Sequence, residues 1–164
     1  MNQNSEIIHI IREETTFASI REPVKELGPT KELEHRIIKL KKVLEGHITG
    51  PLTLIFHFDT LVDGYDAEIG YPVDKIIEKD SISTKTLPYA EFLSVTHKGS
   101  YKTLRTAYEK IYQILRGNGL SDALELVEIL HKYNFENQEN CITEVQGSFL
   151  MWDRNYKMNL KGVL

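Results

Sequence analysis

The stretch Leu124-Glu125-Leu126-Val127-Glu128-Ile129-Leu130 is a short apolar run of the kind that forms a buried β-strand. Alternation with a period of two puts Leu124, Leu126, Glu128 and Leu130 on one face. Glu128 is then a carboxylate on an apolar face, a costly placement unless it is paired, hydrogen-bonded or waiting for a partner. An earlier run, Leu52-Thr53-Leu54-Ile55-Phe56-His57-Phe58, reads the same way, with Leu52, Leu54, Phe56 and Phe58 on a shared face.

Working outward from these two runs, the same order of elements occurs twice. In the first half, Ile7 to Ile11 and Thr16 to Arg21 read as strands about a Glu13-Glu14-Thr15 bend. Gly28-Pro29-Thr30 supplies helix-start chemistry, and Leu33, Ile37, Leu40 and Leu44 form an amphipathic stripe that Gly46 terminates. After the Leu52 strand, the Asp63-Gly64 turn leads into a strand with Ala67, Ile69, Tyr71 and Val73 on one face. Lys75 to Lys85 reads as a polar surface connection. In the second half, Pro88 to Thr96 is a strand, and Gly99-Ser100 starts a helix with Leu104, Ala107 or Tyr108, Ile111 and Leu115 buried. The Glu128 strand, an Asn- and Glu-rich loop over Asn134 to Asn140, and Ile142 to Gln146 follow. The halves align modestly, with Leu52–Phe56 against Leu124–Glu128, so that Glu128 stands where the first half has Phe56. The expected fold is α+β: a duplicated strand–helix–strand–strand unit forming one antiparallel sheet, with two long helices on one face and a ligand cleft between them.

Composition narrows the function classes. The chain's 164 residues suit one domain, and 41% hydrophobic with 27% charged residues suits a packed core. With a net charge of −4, its densest basic group, Arg36 with Lys39-Leu40-Lys41-Lys42, lies beside Glu34 and Glu45 and reads as a solvated helix face rather than a nucleic-acid surface. No apolar stretch reaches the length of a membrane span, and the N-terminus has no secretory pattern. Cys141 is the one cysteine, which fits a reducing cytoplasm. The scattered histidines form no metal-ligand spacing with it. No cofactor, metal or membrane partner is expected. Glu68 and Glu144 read either as a symmetric structural pair or as outward-facing sheet residues, and His97, just before a helix start, as a structural residue.

Several segments resemble one family. Asp66-Ala67-Glu68-Ile69-Gly70-Tyr71-Pro72-Val73, His97-Lys98-Gly99-Ser100-Tyr101-Lys102-Thr103-Leu104, and Glu128-Ile129-Leu130 with Thr143-Glu144-Val145 are similar, in order and spacing, to motifs of GyrI-like domains. These are the effector-binding domains also found in AraC-type and BmrR-type transcription regulators. The resemblance implies a ligand-binding domain over residues 1–147, with 148–164 as an amphipathic tail packing on it. It also implies an aromatic-lined cleft and a buried glutamate that meets amphipathic cations, a role that maps onto Glu128. Leu130 stands where the family often has an aromatic residue, and Tyr108 where its second helix commonly has tryptophan. No helix-turn-helix segment accompanies the domain, so the expectation is a stand-alone member without direct nucleic-acid binding.

The aromatic candidates for the cleft are Tyr71, Tyr108, Phe56, Tyr101, Tyr112 and Trp152, each of which also suits a plain core role. In the tail, Leu150, Trp152, Tyr156 and Leu160 recur at helical spacing. Edge packing is the first reading of that pattern, with a lid over the cleft or a homodimer contact as alternatives. The function expected is sensing or sequestering amphipathic, cationic compounds. Two alternatives follow from the resemblance. One is a hydrolase of cyclopropane-containing DNA-alkylating compounds, with Glu128 as general base. The other is an inhibitor that interacts with a larger enzyme such as DNA gyrase.

Overall fold

The structure is a computed structural model that describes residues 5–26, 28, 30–58, 63–120, 125–150 and 157–161. Its strands are β1 (Ile7–Arg12), β2 (Thr15–Val24), β3 (Leu52–His57), β4 (Tyr65–Pro72), β5 (Ser83–Leu87), β6 (Ala90–Lys98), β7 (Glu125–Lys132) and β8 (Ile142–Ser148). They form a single antiparallel sheet in the order β1-β6-β8-β7-β3-β4-β2-β5.

That order and the chain's connections together require the sheet to curl. β1 and β2 lie six strand positions apart, which in a flat sheet is about 29 Å. Glu13 and Glu14 alone join them, a link that spans about 11 Å at full stretch. Pro88 and Tyr89 impose the same closure between β5 and β6. The result is a half-barrel whose far face, away from the helices, buries its own cluster of Phe17, Ile55, Leu87, Phe92 and Val127. Beyond that cluster the far face is polar and internally bonded. Glu68 Oε1 accepts from Ser19 Oγ at 2.5 Å, and its Oε2 meets His57 Nε2 at 3.0 Å and Lys85 Nζ at 2.6 Å. Glu144 likewise accepts from Ser94 Oγ at 2.6 Å and Gln146 Nε2 at 3.0 Å, and meets His131 Nε2 at 2.8 Å. His57 is thus a partly buried partner of Glu68.

The helices are α1 (Lys31–Val43) and α2 (Arg105–Gly117). Thr30 Oγ1 caps α1 by accepting from the Leu33 N–H at 3.3 Å, and Glu32 and Glu34 near its start and Lys41 and Lys42 near its end complement the helix dipole. The Leu33, Ile37 and Leu40 stripe is buried, as its spacing predicts. Ser100 caps a 3-10 turn, Tyr101–Thr103, that leads into α2, and His97 Nε2 bonds the Ser100 carbonyl at 3.1 Å and Thr103 Oγ1 at 3.1 Å. Ala107, Ile111, Ile114 and Leu115 of α2 join the α1 stripe and Ala18, Ile20, Leu54, Phe56, Ile69, Leu126 and Val145 of the sheet in one main core. Among the described residues, no helix is long and apolar enough to cross a membrane.

Two local readings need amendment. The Lys75–Lys85 stretch ends in a strand, because β5 begins at Ser83. As an edge strand it has β2 for its one partner and buries only Leu87, so it carries no apolar alternation. In the tail, Trp152 and Tyr156 lie outside the described residues. The described part, residues 157–161, is not helical, and Met158 and Leu160 pack against the main core while Asn159 bonds Asn118.

Candidate functional site

Period-two alternation in β7 sends Val127 and Ile129 to the far face and Leu126, Glu128 and Leu130 to the helix face. Leu124 lies outside the described residues. Across the sheet Glu128 stands between Leu54 on β3 and Val145 on β8, 4% and 0% exposed. Glu128 itself is 8% exposed, so its carboxylate is flanked by hydrocarbon and withheld from water. Its one side-chain bond among the described residues comes from the Tyr108 hydroxyl, which donates to Oε1. No described lysine or arginine pairs with it. Burial raises its pKa from 4.5 to about 7, against the lowering effect of the Tyr108 bond. Tyr108 is pushed upward in turn, by burial first and then by the adjacent Glu128 charge.

The aromatic residues extend from this pair. Tyr101 lies close enough to Glu128 for the carboxylate to act on its phenol, which burial chiefly holds above its ordinary range. Its ring meets Phe135 edge-on at 6.3 Å between centroids, and Phe135 meets Tyr133 at 5.6 Å. Burial raises the Tyr71 phenol, and the neighbouring Tyr133 hydroxyl raises it further. Lys41 of α1 places its Nζ 5.3 Å above the Tyr133 ring. Tyr112, one turn after Tyr108, packs on the core with the Arg116 guanidinium 5.7 Å from its ring centre. Phe56 is buried on the same sheet face but stands opposite Leu126 and Ala67.

Tyr108 and Tyr101 are therefore gathered at Glu128. Tyr71 lies further along the aromatic row, Tyr112 is behind Tyr108, Phe56 is in the core, and Trp152 lies outside the described residues. Tyr133 and Phe135 were not among the candidates. A register shift between Leu130 and Lys132 breaks the alternation of β7 just before them. Simple counting assigns Lys132 to the Glu128 face, whereas after the shift Tyr133 and Phe135 pack on the helix-side core. Two aromatic residues spaced two apart at the mouth of a polar loop are the signal that was available.

On the other side of α2, an open groove of about 970 Å³ runs between Ile7, Lys110, Gln113, Gly117 and Leu160. Among the described residues it shares none with the Glu128 site and is lined by no buried charge.

The curled antiparallel sheet with two helices is an α+β framework that holds, at Glu128, a carboxylate with no lysine or arginine partner among the described residues. The chain belongs to the GyrI-like small molecule binding domain family, whose model matches residues 11–147. Among solved structures, the EcmrR C-terminal domain superposes with a TM-score of 0.75 at 19% identity, covering 90% of this chain and 99% of that one. In the EcmrR–DNA complex the match covers 88% of this chain but 57% of the other, with a TM-score of 0.70 at 20% identity. The protein SAV2435 bound to tetraphenylphosphonium matches with a TM-score of 0.63 at 14% identity, covering 88% and 94% of the two chains. A hydrolase from Listeria innocua matches with a TM-score of 0.64 at 14% identity, covering 89% and 92%. At these identities the likenesses establish the fold. A comparison with curated proteins gives no match.

Proposed function

We propose that this domain binds amphipathic cations between its helices, with Glu128 as counter-charge and Tyr108, Tyr101 and Tyr71 as aromatic walls. The observation that carries this reading is the carboxylate's isolation. It is buried between Leu54 and Val145, bonded by Tyr108, and unpaired with any described cation. A bound cation restores the charge that burial disfavours, and aromatic faces attract cations and accept varied apolar bodies. A structural neighbour binds tetraphenylphosphonium, which makes that cation a suitable first probe. Sensing or sequestering such compounds is the role that follows.

The strand register supports an ancestral duplication as the origin of the site. Ile55 faces Glu68 as Ile129 faces Glu144, and His57 and His131, two residues further along, bond those same glutamates. The equivalence that matches these positions makes Leu54, rather than Phe56, the counterpart of Glu128. Leu54 and Glu128 are direct partners across the β3–β7 junction. An apolar residue thus fills the equivalent slot, and the architecture needs no charge there.

Fluorescence titration with rhodamine 6G, and its displacement by tetraphenylphosphonium, tests the proposal. Equal affinity in Glu128→Gln and the parent protein ends the counter-charge role. A second reading rests on the same carboxylate. With a pKa of about 7, Glu128 is poised to accept a proton from water as the water oxygen attacks a carbon of a strained, electrophilic cyclopropane; the ring C–C bond breaks toward a conjugated carbonyl, and the enolate so formed takes the proton back from Glu128. Turnover lost in Glu128→Gln supports it, and tight binding without turnover rejects it.

A further inference from the structure

Tyr101 opens the turn that leads into α2, and it is held from two sides. Its backbone N–H donates to Gln138 Oε1 at 3.3 Å, and the Ser100 hydroxyl donates to that same oxygen at 3.1 Å. Its ring is set against Phe135. Both Gln138 and Phe135 belong to the β7–β8 connection, so ring and backbone are fixed relative to Glu128. The hydroxyl thus positioned is fully enclosed and, among the described residues, is the buried side-chain polar atom without a hydrogen bond. The Thr143 side chain reaches the phenol as a hydrogen-bonding neighbour and favours its charged form, but no fully formed bond to the hydroxyl results. The Cys141 sulfur is engaged by the Asn134 N–H at 3.3 Å. Burial keeps the phenol protonated, so a rigid donor stands beside the carboxylate, and among the described residues no acceptor forms a full hydrogen bond with it. Enclosed donors in native proteins are normally satisfied, and an exception calls for an explanation.

We propose that Tyr101 selects among ligands by donating to a neutral oxygen acceptor carried on the cation's aromatic body. This inference rests on the cation-binding reading above and specifies the ligand class. A ketone, ester or ether oxygen suits the position, whereas an anionic acceptor would lie near the Glu128 charge in a poorly screened interior. The preferred ligand is therefore an aromatic cation whose charged centre faces Glu128 and whose oxygen reaches Tyr101 once the side chains that enclose its hydroxyl in the free protein give way. A cation lacking such an oxygen leaves the hydroxyl unsatisfied, and its affinity lacks that contribution.

The test is calorimetric titration of the full chain with tetraphenylphosphonium and its analogues bearing one acetyl group at the meta or para position of one ring. Parent, Tyr101→Phe and Glu128→Gln proteins are compared, with thermal unfolding of each free protein. At least one acetyl isomer should bind the parent protein tenfold or more tightly than tetraphenylphosphonium. Tyr101→Phe should abolish that gain, so that the acetyl isomers and tetraphenylphosphonium bind it alike, and melt at the same or a higher temperature. Acetyl isomers that bind no tighter, a gain that survives Tyr101→Phe, or a lower melting temperature for that variant each overturn the inference. If tetraphenylphosphonium binds and depends on Glu128 while Tyr101→Phe changes nothing, this inference alone fails. If none of the three cations binds, the cation-binding reading fails and this one with it.

Discussion

Glu128→Gln should make the free protein more stable and the cation complex weaker, and both effects can be sized from the site. Burial raises the carboxyl pKa from 4.5 to about 7, and at about 1.4 kcal/mol per tenfold change in proton affinity this is about 3 kcal/mol. Between those two pH values the folded protein retains a proton that the unfolded chain has lost. Stability therefore falls as pH rises through the window, and the full penalty applies above pH 7. Glutamine carries no charge, and its amide oxygen can still accept from Tyr108. At pH 8 the variant should be more stable by about 3 kcal/mol, or about 6–12 °C in Tm for a chain of this size; at pH 4 the two proteins should coincide. On the binding side, a cation centre about 6 Å from the carboxylate, at an effective dielectric of about 20, gains about 3 kcal/mol. Its loss lowers affinity about a hundredfold. Thermal unfolding across pH 4–8 and titration with tetraphenylphosphonium at pH 8 measure the two effects. A stability difference independent of pH, or a variant no more stable at pH 8, refutes the assigned ionisation; unchanged affinity refutes the assigned role.

Cation affinity of the parent protein should fall about tenfold between pH 8 and pH 6, because binding the charged form then requires removing the proton held with a pKa of about 7; a flat calorimetric profile contradicts this. Tyr108→Phe removes the bond that lowers the Glu128 pKa, so the midpoint of that profile should move upward, with affinity at pH 7 reduced and affinity at pH 9 largely restored. Glu68 behaves oppositely: burial pushes its pKa up, but bonds from His57, Lys85 and Ser19 outweigh burial and hold it at about 2. Its contribution, about 3 kcal/mol by the same conversion, is present above pH 4.5 and lost as pH falls toward 2. Glu68→Gln should therefore destabilise at pH 7, with the gap closing in acid unfolding. Gly70→Ala would place a Cβ 2.1 Å from the Ala18 carbonyl oxygen, and should cost about 3 kcal/mol or more in urea unfolding.

The central elements were legible in the sequence because each carries its signal in its own residues. The α1 stripe, its Thr30 cap, and the alternation of β3, β4 and β7 follow from apolar spacing and local hydrogen-bonding chemistry. Glu128 stood out for the same reason, as a charge that violated its strand's pattern. Features decided by partners distant in sequence were less legible. β5 is a strand through its pairing with β2 rather than through apolar content. The curl of the sheet comes from two short links between opposite sides of it. Tyr133 and Phe135 reach the helix side through a register shift, which period-two counting does not anticipate.

Three glutamates on this sheet give the strongest support for a role at Glu128. Glu68 and Glu144 are held on the far face, each bonded by a serine and a histidine, and each has its pKa lowered. The same sequence therefore supplies partners to a buried carboxylate where that carboxylate helps hold strands together. At Glu128, on the opposite face, the cross-strand neighbours are Leu54 and Val145, a tyrosine hydroxyl is the side-chain bond among the described residues, and the pKa rises. A carboxylate left at about 3 kcal/mol of cost in a domain whose total stability is on the order of 5–15 kcal/mol would be readily replaced by a residue like Leu54 if packing were its only task. Retaining it is favourable when something arriving from outside supplies the missing charge. The excess stability of Glu128→Gln would measure what burial costs the free carboxylate, and the affinity lost in that same variant would measure what a bound cation returns to it.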